Sequence, residues 1–99
     1  MGDDTMLYRL QAIIEGRKQQ PQSGSYTSQL FESGIERIVQ KVGEEATEVI
    51  IAALRQSRET QLEELSDLFY HTLVLMSALD ITLDDVSAVL EQRHQPRGE

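Results

Sequence analysis

Two long stretches of this chain carry apolar residues at intervals of three and four, a period that suits helices and excludes strands. In the first, Ile35, Ile38, Val39, Val42, Ala46, Val49, Ile50 and Ala53 fall in one stripe. In the second, Leu62, Leu65, Leu68, Phe69, Leu73, Leu75, Met76 and Leu79 form a broader face, and Tyr70, Val74 and Ala78 add apolar surface on another side. A helix apolar on nearly every side belongs in a core or an oligomer interface. No alternating strand pattern, internal repeat or linker is present.

The flanking segments complete a helical chain. Asp3 or Asp4 can cap a first helix in which Leu7, Leu10, Ile13 and Ile14 keep helical spacing, ending near Gln19 before Pro21. Gln20 to Ser28 is a polar loop whose glycine, hydroxyls and backbone N–H groups suit a phosphate, although surface turns share that composition. A second helix is expected from about Ser28 or Ser33 to Gln56, with Ser33-Gly34-Ile35-Glu36 in the form of a capping box at a bend or restart. Thr60-Gln61-Leu62-Glu63 has the same form and is expected to open a third helix that runs to about Leu79. Thr82 caps a fourth, with Asp84 and Asp85 in its first turn and Leu83, Val86, Val89 and Leu90 as its buried side. The tail from His94 to Glu99 reads as frayed. The expectation is an all-α, four-helix antiparallel bundle, one domain over residues 1–99.

At 99 residues such a bundle buries only about two-thirds of its unfolded surface, so completion by oligomerisation is expected. A net charge of −8 argues against unaided binding to nucleic acid or an anionic membrane. The chain has no cysteine, so thiolate metal sites and disulfides are excluded. Its acidic N-terminus lacks the pattern of a signal peptide, and no apolar run reaches the roughly 20 residues that span a bilayer. A cytoplasmic location is the expectation.

Within the first stretch, Lys41-Val42-Gly43-Glu44-Glu45-Ala46-Thr47-Glu48 concentrates acids. At about 100° per residue Glu44, Glu45 and Glu48 lie within about 100° of one another, and on the next helix Glu64 and Asp67 lie about 60° apart. Two adjacent helices can therefore bring five carboxylates together. That many negative charges repel unless protons or cations intervene, and an oxygen-only ligand set suits a hard ion such as Mg²⁺. The plainer alternative is a solvated face laced with charge pairs, Arg37, Lys41 and Arg55 lying in line with Glu44 and Glu48. Against it, Lys41 precedes Glu44 and Glu45, the less favourable order, and Glu44 with Glu48 is itself a like-charged pair. First-turn acids complementing the helix dipole account for Glu63 and Glu64, but less well for Asp67, which lies further in beside apolar positions. His71, one turn beyond Asp67, fits either a structural hydrogen bond or contact with a ligand.

Three segments together carry a resemblance: Ser25-Tyr26-Thr27, Lys41 to Glu48, and Glu64-Leu65-Ser66-Asp67-Leu68-Phe69-Tyr70-His71. Over about residues 5 to 93 the chain resembles the phosphoribosyl-ATP pyrophosphatase family of histidine biosynthesis, within the all-α MazG-like NTP pyrophosphatase superfamily. It departs at Gln40, where a second basic residue is common, and at Ser66, where alanine is common. The resemblance implies Mg²⁺-dependent hydrolysis of 1-(5-phosphoribosyl)-ATP to 1-(5-phosphoribosyl)-AMP and pyrophosphate, in a homodimer or higher homo-oligomer. It further implies Glu45, Glu48, Glu64 and Asp67 as metal ligands and Glu44 as the group that orients or deprotonates water, a role exchangeable with Glu45. Lys41, Tyr26, Thr27 and His71 are the candidate contacts to substrate. Two alternatives are another nucleoside triphosphate pyrophosphatase of the superfamily and a non-enzymatic helical oligomerisation module.

Overall fold

A computed structural model describes residues 5–95. The elements are α1 (Met6–Gln19), α2 (Tyr26–Ser33), α3 (Ile35–Arg55), α4 (Arg58–Ala78) and α5 (Leu83–Arg93), with no strand among the described residues. No described helix is long and apolar enough to cross a membrane. The all-α class read from the periodicity stands, with one helix more than expected. Asp3 and Asp4 lie outside the described residues, as do the last four of the tail, and Thr5 takes the N-cap position of α1.

The extra helix comes from the segment read as polar loop and first turn. Ser25 adopts extended backbone and its hydroxyl accepts from the Ser28 N–H at 3.1 Å, so Tyr26, Thr27 and Ser28 are helical and not loop. The helix stops at Gly34, whose φ of 96° and ψ of 168° lie where side-chain-bearing residues are rarely found. Ser33 is the last residue of α2 and donates back to the Leu30 carbonyl at 2.7 Å, so it forms no capping box for α3. At the next junction the cap is Ser57, which accepts from the Thr60 N–H at 3.3 Å; Thr60 is already inside α4. Thr82 and Asp85 form the expected reciprocal box at the start of α5.

Because only Gln56 and Ser57 separate α3 from α4, the two 21-residue helices run antiparallel and form the principal pair. Ile14, Leu30, Ile38, Leu73 and Val74 make the buried core between them, α1 and α2. Polar ties add to it at one end. Lys18 donates to the Ser77 carbonyl at 2.6 Å and to Asp80 at 2.9 Å, placing a cation at the carboxyl end of α4, where the helix dipole favours it. Buried Ser77 in turn donates to Glu15 at 2.7 Å. Tyr8 donates to Asp84 at 2.8 Å, and Gln11 accepts the Leu83 N–H at 2.7 Å, holding the start of α5 on α1.

The buried side expected of α5 is absent: Leu83 is half-buried, while Val86, Val89 and Leu90 are exposed. Likewise, of the α3 stripe only Ile38 is fully buried, Ala52 being buried about four turns further along outside the stripe, and Ile35, Val39 and Ile50 are exposed. A single copy lacks enough layers to cover both sides of α3 and α4.

Candidate functional site

The antiparallel α3–α4 pair sets the middle of α3 beside the first turns of α4. One carboxylate oxygen each from Glu45, Glu64 and Asp67 lies within 4.8 Å of the others. Glu48, one turn beyond Glu45, is close enough for its charge to act on Glu64. The Glu64 carboxyl is pushed above the usual carboxylate range, first by partial desolvation and then by the charges of Glu48, Asp67, Glu45 and Glu63. Asp67 itself is exposed, so it stands among the other carboxylates and is not buried against Tyr70 and Val74 as its sequence neighbours suggested.

Glu44 is not one of the three converging acids, and its partners are polar and basic side chains of α3. Its carboxylate accepts from Gln40 at 3.0 Å and from Lys41 at 3.3 Å, with Arg37 at 3.8 Å. These partners, Lys41 foremost, hold its carboxyl below the usual range. The Lys41 ammonium also lies 3.4 Å from Glu45 and so links the two acids. Its own pKa is raised: partial burial pulls it down, but hydrogen bonding to Glu44 and the nearby Tyr26 and Glu45 outweigh that. Arg37 and Gln40 are thus neighbours of the site as well, on the spacing of three and four that put them in line with Glu44.

The start of α2 reaches the same region from the other side of α4. The Tyr26 hydroxyl is 3.0 Å from His71 Nε2, and His71 Nδ1 is 2.8 Å from the Asp67 carbonyl. Thr27 Oγ1 and the Tyr70 hydroxyl share a hydrogen bond. Tyr70, pushed above the ordinary phenol range mainly by burial, joins the site although it was not among the candidate contacts, its signal being its place in the segment that ends Tyr70-His71. His71 is buried, Tyr26 is exposed, and the Tyr26, Tyr70 and His71 rings form one cluster.

The donor set fits a hard divalent cation. Glu45, Glu64 and Asp67 offer carboxylate oxygens only, from two rigid helices, with Glu48 at hand and with Lys41 reaching Glu45 as a counter-charge. Fold and site together define an all-α protein whose central helix pair converges carboxylates beside a lysine and a tyrosine-histidine pair.

Comparison with known proteins makes the class specific. The model of the family described as phosphoribosyl-ATP pyrophosphohydrolase matches residues 7–94, and the chain belongs to that family. It is 45% identical to the phosphoribosyl-ATP pyrophosphatase of Clostridium acetobutylicum over 95 residues, 96% of this chain and 86% of the relative. To the phosphoribosyl-ATP pyrophosphatase of Listeria innocua it is 49% identical over 88 residues, 89% of this chain and 84% of the relative. The histidine biosynthesis bifunctional protein HisIE of Halalkalibacterium halodurans is 48% identical over 90 residues, 91% of this chain but 43% of the relative. The chain therefore spans less than half the length of that bifunctional relative.

Proposed function

We propose that this chain hydrolyses 1-(5-phosphoribosyl)-ATP between its α- and β-phosphates, releasing pyrophosphate and 1-(5-phosphoribosyl)-AMP. Family membership supports the reaction, and the observation that carries it at the level of atoms is the convergence of Glu45, Glu64 and Asp67 on one point between α3 and α4. Residues 1–99 are read as a single catalytic domain, which the shared core of the described helices supports.

Glu45, Glu48, Glu64 and Asp67 would hold Mg²⁺. When bound, the cation supplies positive charge against phosphate oxygens and Lewis acidity at the bond to be broken. The acids need it to meet a polyanion in a chain of net charge −8. Glu44, ionised and fixed by Gln40, Lys41 and Arg37, acts as the hydrogen-bond acceptor that orients the attacking water. Lys41 turns its charge to the phosphates once substrate competes with the two glutamates. Tyr26 and Thr27 contribute to the nucleotide side of the site. The substrate is a small-molecule nucleotide, and the location proposed is cytoplasmic.

The large apolar residues left outside, Leu54 at 77% and Ile50 at 59% exposure among them, support a homodimer or higher homo-oligomer. The function is tested by pyrophosphate release with phosphoribosyl-ATP, ATP, dUTP and dCTP in turn, each with Mg²⁺ or with chelator. Phosphoribosyl-ATP with Mg²⁺ is expected to exceed every other combination by at least about a hundredfold in kcat/KM. Equal or better turnover of an ordinary triphosphate contradicts the assignment.

A further inference from the structure

Both ring nitrogens of His71 are engaged within the chain. Nδ1 lies 2.8 Å from the Asp67 carbonyl oxygen, which can only accept, so Nδ1 carries the proton. In the neutral ring Nε2 is then an acceptor, and its 3.0 Å contact with Tyr26 takes the phenolic proton. His71, only 7% exposed, has no nitrogen left for a ligand. Tyr26 is the opposite case. The residue is 47% exposed, yet its one hydroxyl proton points inward to His71.

That orientation decides what the phenol can recognise. The lone pairs left on its oxygen can only accept, and phosphate oxygens are themselves acceptors, so a phosphate is the wrong partner. A hydroxyl or amino group is the right one. The ring is also fixed in place, edge-on to His71 at 5.8 Å and stacked with Tyr70 at 6.2 Å. Its position suits a nucleotide whose phosphates lie on the acids: His71 is anchored on the backbone of Asp67, and Lys41, which reaches Glu45 at 3.4 Å, lies close to Tyr26 as well.

We propose that Tyr26 is a specificity residue whose phenolic oxygen accepts a hydrogen bond from a donor on the nucleotide, a sugar hydroxyl or the base amino group, and that His71 is the positioning residue that turns it outward as an acceptor. The proposal rests on the reaction assigned above, because it takes the phosphates to be on the acidic cluster.

The test uses the full chain and pyrophosphate release with saturating Mg²⁺. Tyr26→Phe is expected to raise KM about tenfold and leave kcat within about twofold, the loss of one hydrogen bond that does not change along the reaction. His71→Leu reproduces that rise in KM, and His71→Gln, whose amide oxygen can still accept from the phenol, restores most of it. The double variant Tyr26→Phe/His71→Leu is no worse than Tyr26→Phe. A fall in kcat with KM unchanged in Tyr26→Phe, or additive losses in the double variant, overturns the proposal. Repeating Tyr26→Phe with the inosine counterpart of the substrate separates the two donors: a penalty that persists names a sugar hydroxyl, and one that vanishes names the amino group. Should the parent chain release no pyrophosphate at all, the assigned reaction fails. The acceptor state is then read independently from the ¹⁵N resonances of the His71 ring, where a proton on Nε2 in the neutral ring overturns the proposal.

Discussion

Glu64, one of the proposed metal ligands, sits uncomfortably among like charges. Its raised pKa means that the folded chain binds a proton there more tightly than the unfolded one does. Folding is therefore opposed as pH rises from the unfolded carboxylate value through the higher folded one, and the penalty is full at neutral pH. Glu64→Gln is accordingly expected to raise the Tm of the metal-free protein at pH 7, the gain over the parent disappearing in acid; a Tm at or below the parent's at pH 7 contradicts this account. Glu15 has the opposite sign. Ser77 foremost, then Gln19 and Lys18, hold its carboxyl below the usual range, so it contributes stability above the unfolded carboxylate pKa that is lost as pH falls through the folded one. Ser77→Ala is expected to cost up to about 1 kcal/mol at pH 7, solvent screening limiting it, and progressively less in acid, as measured by denaturant melts. The gathering of acids was legible because helical spacing puts Glu45 with Glu48 and Glu64 with Asp67, whereas the ligand roles proposed for them came with the family resemblance. The Tyr26–His71 contact was not, because its partners stand 45 positions apart and only the tertiary packing of α2 on α4 unites them.

At the scale of elements, the caps decided where periodicity could not. Ser33-Gly34-Ile35-Glu36 and Thr60-Gln61-Leu62-Glu63 both have the form of a capping box, yet neither is one, since Gly34 turns the chain through a positive φ and Ser57 captures the helix start three residues earlier. The spacing of a box is satisfied inside helices as readily as at their ends, and only backbone direction distinguishes the two. Gly34 thereby makes α2 a separate helix, free to angle Tyr26 and Thr27 toward α4. A Cβ at Gly34 would meet nothing within 4 Å, so substitution there reports the backbone alone. Gly34→Ala is expected to destabilise the fold by about 1–3 kcal/mol. Because α2 carries Tyr26, the same change should raise KM more than it lowers kcat, and an unchanged denaturation midpoint would show that the junction is not strained.

The whole molecule is where sequence and single-chain structure diverge most. The apolar pattern of α3, α4 and α5 promised more buried surface than one copy provides, and Leu54, Leu62, Phe69, Val89 and Leu90 remain half or more uncovered or nearly so. Periodicity records every face that is buried in the working assembly and does not say which chain buries it. The full chain is expected to sediment as a dimer or larger at micromolar concentration, and Phe69→Glu, at a position already half exposed in one copy, to shift it toward monomer with helical content retained. A parent that sediments as monomer at that concentration contradicts this. The claim beneath all the rest is that acids from two antiparallel helices jointly hold a divalent cation, and thermal stability followed during Mg²⁺ titration of the parent, Glu45→Gln and Asp67→Asn tests it most directly. A rise that grows with the logarithm of Mg²⁺ concentration above Kd, about 2.7 kcal/mol at a hundred times Kd, is expected in the parent and should be largely lost when the proposed ligand on either helix is removed. A parent that does not respond, or variants that respond as the parent does, would contradict it.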